Sequence, residues 1–226
     1  MTLERIGGFA ALICAATYLF GFAMIVTVFE PLGFGSSNVD VSEVVRFSQE
    51  HQGFMILWNT MIYIVNALAL TLLVVALAAK LRSASVEWST VTLAFGLIWC
   101  TLVLGAGMIA NVATERAVAL ADTDLELAVE TWQFLQAVEL GLGGGNEIAG
   151  GVWILCVSLA GLLHRVFGKI VVTLGLVTGI GGFVTILPPL GDVAGAVFGL
   201  GAIAWFIAVG IALIRRTSEH AVAAAA

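Results

Sequence analysis

Residues Phe54–Ala79 read FMILWNTMIYIVNALALTLLVVALAA, a run without a charged side chain that Lys80 and Arg82 close. An α-helix rises about 1.5 Å per residue, and about 20 apolar residues cross a hydrocarbon core about 30 Å thick. The run exceeds that length and carries two amides, Asn59 and Asn66. It predicts a helix that crosses a membrane, and the rest of the chain is read from this pattern.

Five further apolar runs follow: Phe9–Phe29, Ser89–Val112, Ile170–Leu187 and Val193–Ile214 are uncharged, and Leu142–Leu163 carries one carboxylate, Glu147. Phe9–Phe29 is longer than the roughly 7–15 residues of a signal-peptide core, so it reads as a first span. Of 226 residues, 61% are hydrophobic and 11% are charged. A soluble domain carries about 25% charged residues. The expected fold is therefore all-α: a polytopic membrane helical bundle of about six transmembrane helices, forming one domain over residues 1–226.

Charge gives the expected orientation. Arg5, Lys80, Arg82, Arg165, Lys169, Arg215 and Arg216 fall on one side of a six-span arrangement, whereas Arg46 and Arg116 fall on the other. Basic residues mark cytoplasmic loops, so both termini are expected in the cytoplasm and the protein in the inner (plasma) membrane. Segments 30–53 and 113–141 then form the extracytoplasmic loops. In the first, Glu30-Pro31 ends span one, and a loop follows with Gly33, Gly35, Ser36, Ser37 and Asn38. Asp40–His51 then alternates apolar and polar residues at helical spacing, which predicts a short amphipathic helix on the membrane surface. In the second, Thr123-x-x-Glu126 predicts a capping box that starts a helix. That helix is either continuous with span four or broken from it by glycines.

The stretch Gly141-Leu-Gly-Gly-Gly-Asn-Glu-Ile-Ala-Gly-Gly151 supplies the leading candidate site. Glu147 and Asn146 open a long apolar run, where a charge costs roughly 2.5–3.5 kcal/mol at mid-membrane and less near the rim. Counting back from His164 puts Glu147 about 25 Å from the cytoplasmic edge, near the outer rim, and Asn66 comes out about 21 Å from that edge. Asn59, Asn111 and Glu139 fall at the outer boundary. In a continuous helix Glu139 and Glu147 would share a face at i, i+8. Trp99 and Trp153 project near the midplane, which suits packing between helices or an apolar wall. The candidate ligand-binding set is thus Glu147, Asn146, Glu139, Asn66, Asn59, Asn111, Trp153 and Trp99. The cytoplasmic half holds hydroxyls but no charge or amide, which predicts a crevice open to one side.

Other chemistry finds little support. No basic patch points to nucleic acid. Cys14, Cys100 and Cys156 lie far apart in apolar runs without metal or redox spacing. Neither a zinc motif nor a nucleophile motif occurs, and His51, His164 and His220 cannot form an opposed haem pair. No cofactor or metal is expected, and an enzyme ranks low because no nucleophile–base set is visible. Glycines at four-residue spacing, including Gly141/Gly145, Gly175/Gly179 and Gly191/Gly195/Gly199, predict close packing among the last three spans. An unwound binding segment is the other reading of the glycines.

Three stretches resemble a family of bacterial six-span membrane proteins grouped as a domain of unknown function. They are Arg5-Ile-Gly-Gly-Phe-Ala, the segment GKIVVTLGLVTGIGGFVTILPP from Gly168 to Pro189, and Phe198-Gly-Leu-Gly with Trp205 and Gly210. The resemblance implies the six-span fold and the bacterial inner membrane. It carries over no catalytic residues.

The expected function is capture of a small or lipid-like ligand, or a partner, in an outward-facing polar pocket near Glu147. A proton-coupled small transporter is the first alternative. A structural or accessory subunit of a membrane complex is the second. Membrane lipid and a homo-oligomeric or membrane-complex partner are the expected contacts.

Overall fold

The computed structural model describes residues 2–33, 39–144 and 147–223. The fold is about 90% helical, with no strand among the described residues. Helix α1 is Leu3–Met24, and it runs on through a π-helical turn, Ile25–Phe29, into a 3₁₀ turn, Glu30–Leu32. Helix α2 is Val41–Glu50. Helix α3, Gln52–Asn59, passes through a second π-helical turn, Thr60–Val65, into α4, Asn66–Arg82. Helices α5 (Val86–Ala121), α6 (Leu125–Glu139), α7 (Ile148–Leu163), α8 (Lys169–Val184) and α9 (Gly191–Ala223) complete the fold.

Among the described residues, five stretches are long and apolar enough to cross a membrane: Leu3–Leu32, Gln52–Arg82, Val86–Ala121, Leu125–Leu163, which is interrupted at Gly143, and Gly191–Arg215. They identify a multi-pass membrane protein. Helix α8 is apolar but has only 16 residues, about 24 Å of rise.

Several local features differ from the sequence reading. Helix α5 does not stop near Val112 but continues to Ala121, giving 36 residues and about 54 Å. The cap of α6 is Asp124 rather than Thr123. The Asp124 carboxylate accepts from the Leu127 amide at 3.0 Å, whereas the Thr123 hydroxyl donates back to the Leu120 carbonyl. Helical geometry breaks at Gly143, whose φ of 141° only glycine adopts readily. The register that would align Glu139 with Glu147 on one face is therefore lost. Gly35, Ser36, Ser37, Asn38, Gly145 and Asn146 lie outside the described residues.

The chain forms two compact units. One comprises residues 1–16, 67–101 and 146–226. Its centre is aromatic. Trp153 lies 5.5 Å from both Trp99 and Trp205, ring centroid to ring centroid, and Phe206 stacks parallel to Trp99 at 6.3 Å. Glycine makes room for these rings, since a Cβ on Gly150 would fall 2.6 Å from Trp99 and 2.8 Å from Phe198. Helices α7 and α8 meet backbone to backbone, and a Cβ on Gly151 would fall 2.6 Å from the Phe183 amide nitrogen. At its edge Lys80 donates to Glu4 at 2.9 Å.

The other unit comprises residues 17–66 and 102–145. Its core gathers Phe29, Val44, Val45, Met55, Trp58, Ala117 and Trp132. Helix α2 starts where expected, with Asp40 as cap accepting from the Glu43 amide at 3.2 Å. Its apolar face, however, is covered by protein. Val44 and Val45 are fully buried, and Gln49 donates to Asp122 at 2.9 Å. The amphipathic pattern was satisfied by a protein core.

Candidate functional site: a polar cavity around Glu139

The second unit encloses a cavity of about 350 Å³. Helix α6 gives it Trp132, Gln136 and Glu139, spaced i, i+4 and i+7 and hence on one face. Helix α5 gives Ala110, Ala113 and Thr114, small residues that leave the space open. The end of α3 and the turn after it give Trp58, Asn59, Ile62 and Tyr63. The two π-helical turns already described contribute lining residues, Ile25 from the first and Ile62 and Tyr63 from the second, and Leu140 follows the end of α6. A π turn admits one extra residue and so re-aims side chains, and such turns are frequent at functional sites.

Glu139 is the polar centre. It is only 7% exposed, and the Tyr63 hydroxyl donates to its Oε1 at 2.6 Å. Gly107 allows Tyr63 to sit there, because a Cβ at position 107 would collide with the Tyr63 Cβ. Among the described residues, no cationic side chain pairs with Glu139. Asn59 is 4% exposed, and its amide bonds no described side chain or backbone group. Asn59, Gln136 and the second oxygen of Glu139 offer donors and acceptors to an occupant of the cavity.

The structure separates the sequence-derived candidates. Glu139 and Asn59 come together at the cavity. Asn66 is buried in the same unit but donates to the Thr17 hydroxyl at 2.7 Å. Asn111 donates to the Thr60 hydroxyl at 3.1 Å and leaves its Oδ1 buried without a partner among the described residues. Trp99 and Trp153 belong to the aromatic core of the other unit. So does Glu147, which immediately precedes α7 and whose backbone carbonyl is closely approached by Gly182. The Glu147 carboxylate bonds no other described residue. Asn146 lies outside the described residues.

Comparison with protein-family models, curated proteins and solved structures finds no match. The chemistry of the site therefore rests on its own residues.

Tyr63, Gln136, Trp58 and Trp132 were missed as site residues. Trp58 reads as an interfacial anchor, and Trp132 reads as the apolar face of an acidic helix. The spacing Trp132, Gln136, Glu139 was a usable signal, since one helical face carries an indole, an amide and a carboxylate. Tyr63 gave less warning, because a π turn fixes its direction and periodicity does not reveal such turns. No group of three His, Cys, Asp or Glu side chains among the described residues converges as a metal site. The arrangement offers a carboxylate, two amides and three aromatic rings around an apolar-walled space.

Proposed function

We propose that the protein is a six-span membrane protein of the bacterial inner membrane that binds a small or lipid-like ligand in a pocket centred on Glu139. In this reading both termini are cytoplasmic, following the distribution of Lys and Arg. Helix α8 is the sixth span, short and extended by the turn at Pro188–Leu190. The pocket then opens toward the outer side. The resemblance in Arg5–Ala10, Gly168–Pro189 and Phe198–Gly210 is what supports placing it with the bacterial six-span family.

The observation that carries the reading is the cavity itself. It couples about 350 Å³ of space with a nearly buried carboxylate, Glu139, that meets no cationic side chain among the described residues. Ligand sites are concave, mostly apolar and furnished with a few convergent polar groups. The anchor of this reading is Glu139, because Glu139 lines a described cavity, whereas the described neighbour of the Glu147 backbone carbonyl is Gly182. The accessory-subunit reading keeps only part of its glycine surface, since Gly191 and Gly195 meet nothing within 4 Å. Gly151, Gly179 and Gly182 are already occupied by their own neighbouring helices.

The test is to purify the protein in lipid nanodiscs and look for bound small molecules by native mass spectrometry. Wild type should carry an adduct that Ala113→Leu, which fills the cavity, removes. Equal spectra from the two proteins, with both folded, would defeat the reading.

A further inference from the structure

We infer that the occupant of the Glu139 cavity is an organic ammonium, a primary or secondary alkylamine in its cationic form. This rests on the reading that the cavity is a ligand site, and it adds the chemical class of the ligand.

The charge around the cavity is one-sided. Among the described residues, Glu139 is its only charged lining residue, and no lysine or arginine lines it. Arg46 in the same unit is engaged by Glu43 at 2.8 Å, and Arg116 is exposed. The unit as a whole holds ten of the chain's 15 acidic residues and two of its nine basic ones. A concave site of one charge sign concentrates ions of the opposite sign. Burying a carboxylate is costly unless a positive group and hydrogen bonds meet it. A ligand cation would supply both.

The remaining lining selects among cations. Trp58, Tyr63 and Trp132 line the same cavity as the carboxylate, and an aromatic face attracts an ammonium within about 6 Å of its ring centroid. The amide oxygens of Asn59 and Gln136 accept N–H donors, so a head with ammonium protons uses more of the site than a quaternary one. Oε1 of Glu139 is taken by Tyr63, which leaves Oε2 for the ligand. Ile25, Met55, Ile62 and Leu140 cover a short alkyl tail. A bare metal ion would find one carboxylate and a largely apolar wall.

The experiment compares n-hexylammonium with 1-hexanol, its neutral analogue of equal length. Binding is followed by tryptophan fluorescence and calorimetry, with full-length protein in nanodiscs of zwitterionic lipid. At least tenfold tighter binding of the ammonium is expected. Glu139→Gln keeps an oxygen for the Tyr63 bond and should reduce the ammonium to the level of the alcohol. Should that variant fail to fold, the wild-type ratio alone decides. Equal binding of the two probes overturns the ammonium inference while leaving the cavity as a ligand site. Binding of neither probe overturns both.

Discussion

Tyr63 and Glu139, 76 residues apart in sequence, are joined by a 2.6 Å hydrogen bond from the phenol to the carboxylate Oε1. The bond ties a π-helical turn to the last residue of α6. A buried acceptor that loses its donor costs about 1–3 kcal/mol. Tyr63→Phe should therefore lower the thermal midpoint of the protein in nanodiscs, and Glu139→Gln should lower it less. Equal stability of Tyr63→Phe and wild type would show that water replaces the phenol without loss.

Gly151 and Gly195 lie in similar glycine-rich surroundings but differ in space. A Cβ at 151 meets the backbone of α8 within 3 Å, whereas one at 195 meets nothing within 4 Å. Gly151→Ala should destabilise by about 1–3 kcal/mol through overpacking. Gly195→Ala should be neutral or gain up to about 1 kcal/mol of helix propensity. Chemical unfolding of the two variants side by side checks the contrast. The reverse order would contradict the backbone contact.

Thr178 is fully buried on α8, and its hydroxyl has no partner among the described residues. Thr178→Val keeps the shape and removes the unmet hydroxyl, so stability should hold or rise by about 1 kcal/mol. A fall of that size would reveal an internal water that the hydroxyl serves.

Asp40 gives a local pH response. The Ser42 hydroxyl and the Glu43 amide hold its carboxyl below the ordinary carboxylate range. A lowered native value means that the ionised cap stabilises α2 fully above the ordinary value. The contribution fades as pH falls through the lowered one. Protection factors for amide exchange across residues 41–50, which correct for the intrinsic slowing of exchange in acid, should be high at neutral pH and fall in acid. Asp40→Ala should be weakly protected at both, and wild-type protection unchanged in acid would dismiss the cap.

The membrane class was legible because uncharged length is a direct physical requirement of the bilayer, as in Phe54–Ala79. The amphipathic period of Asp40–His51 correctly gave a helix but not its cover, since lipid and protein both satisfy an apolar face. The site was half legible. Asn59 and Glu139 stood out as polar groups in apolar surroundings. Glu147 stood out for the same reason, yet its described contacts belong to helix packing, and composition cannot separate the two situations. The shared face of Glu139 and Glu147 assumed an unbroken helix, and Gly143 breaks it.

The turn at Thr60–Val65 bears on how such a site can arise. An α-helix advances about 100° per residue, so one additional residue rotates everything beyond it while the rod stays continuous. A single-codon insertion would suffice to swing an apolar helix into the arrangement that points Tyr63 at Glu139. By the same geometry, a single-codon deletion there would leave a membrane helix of nearly equal length with its inner face turned away. Length variation of one residue, more than substitution, is the kind of change to which this site is exposed.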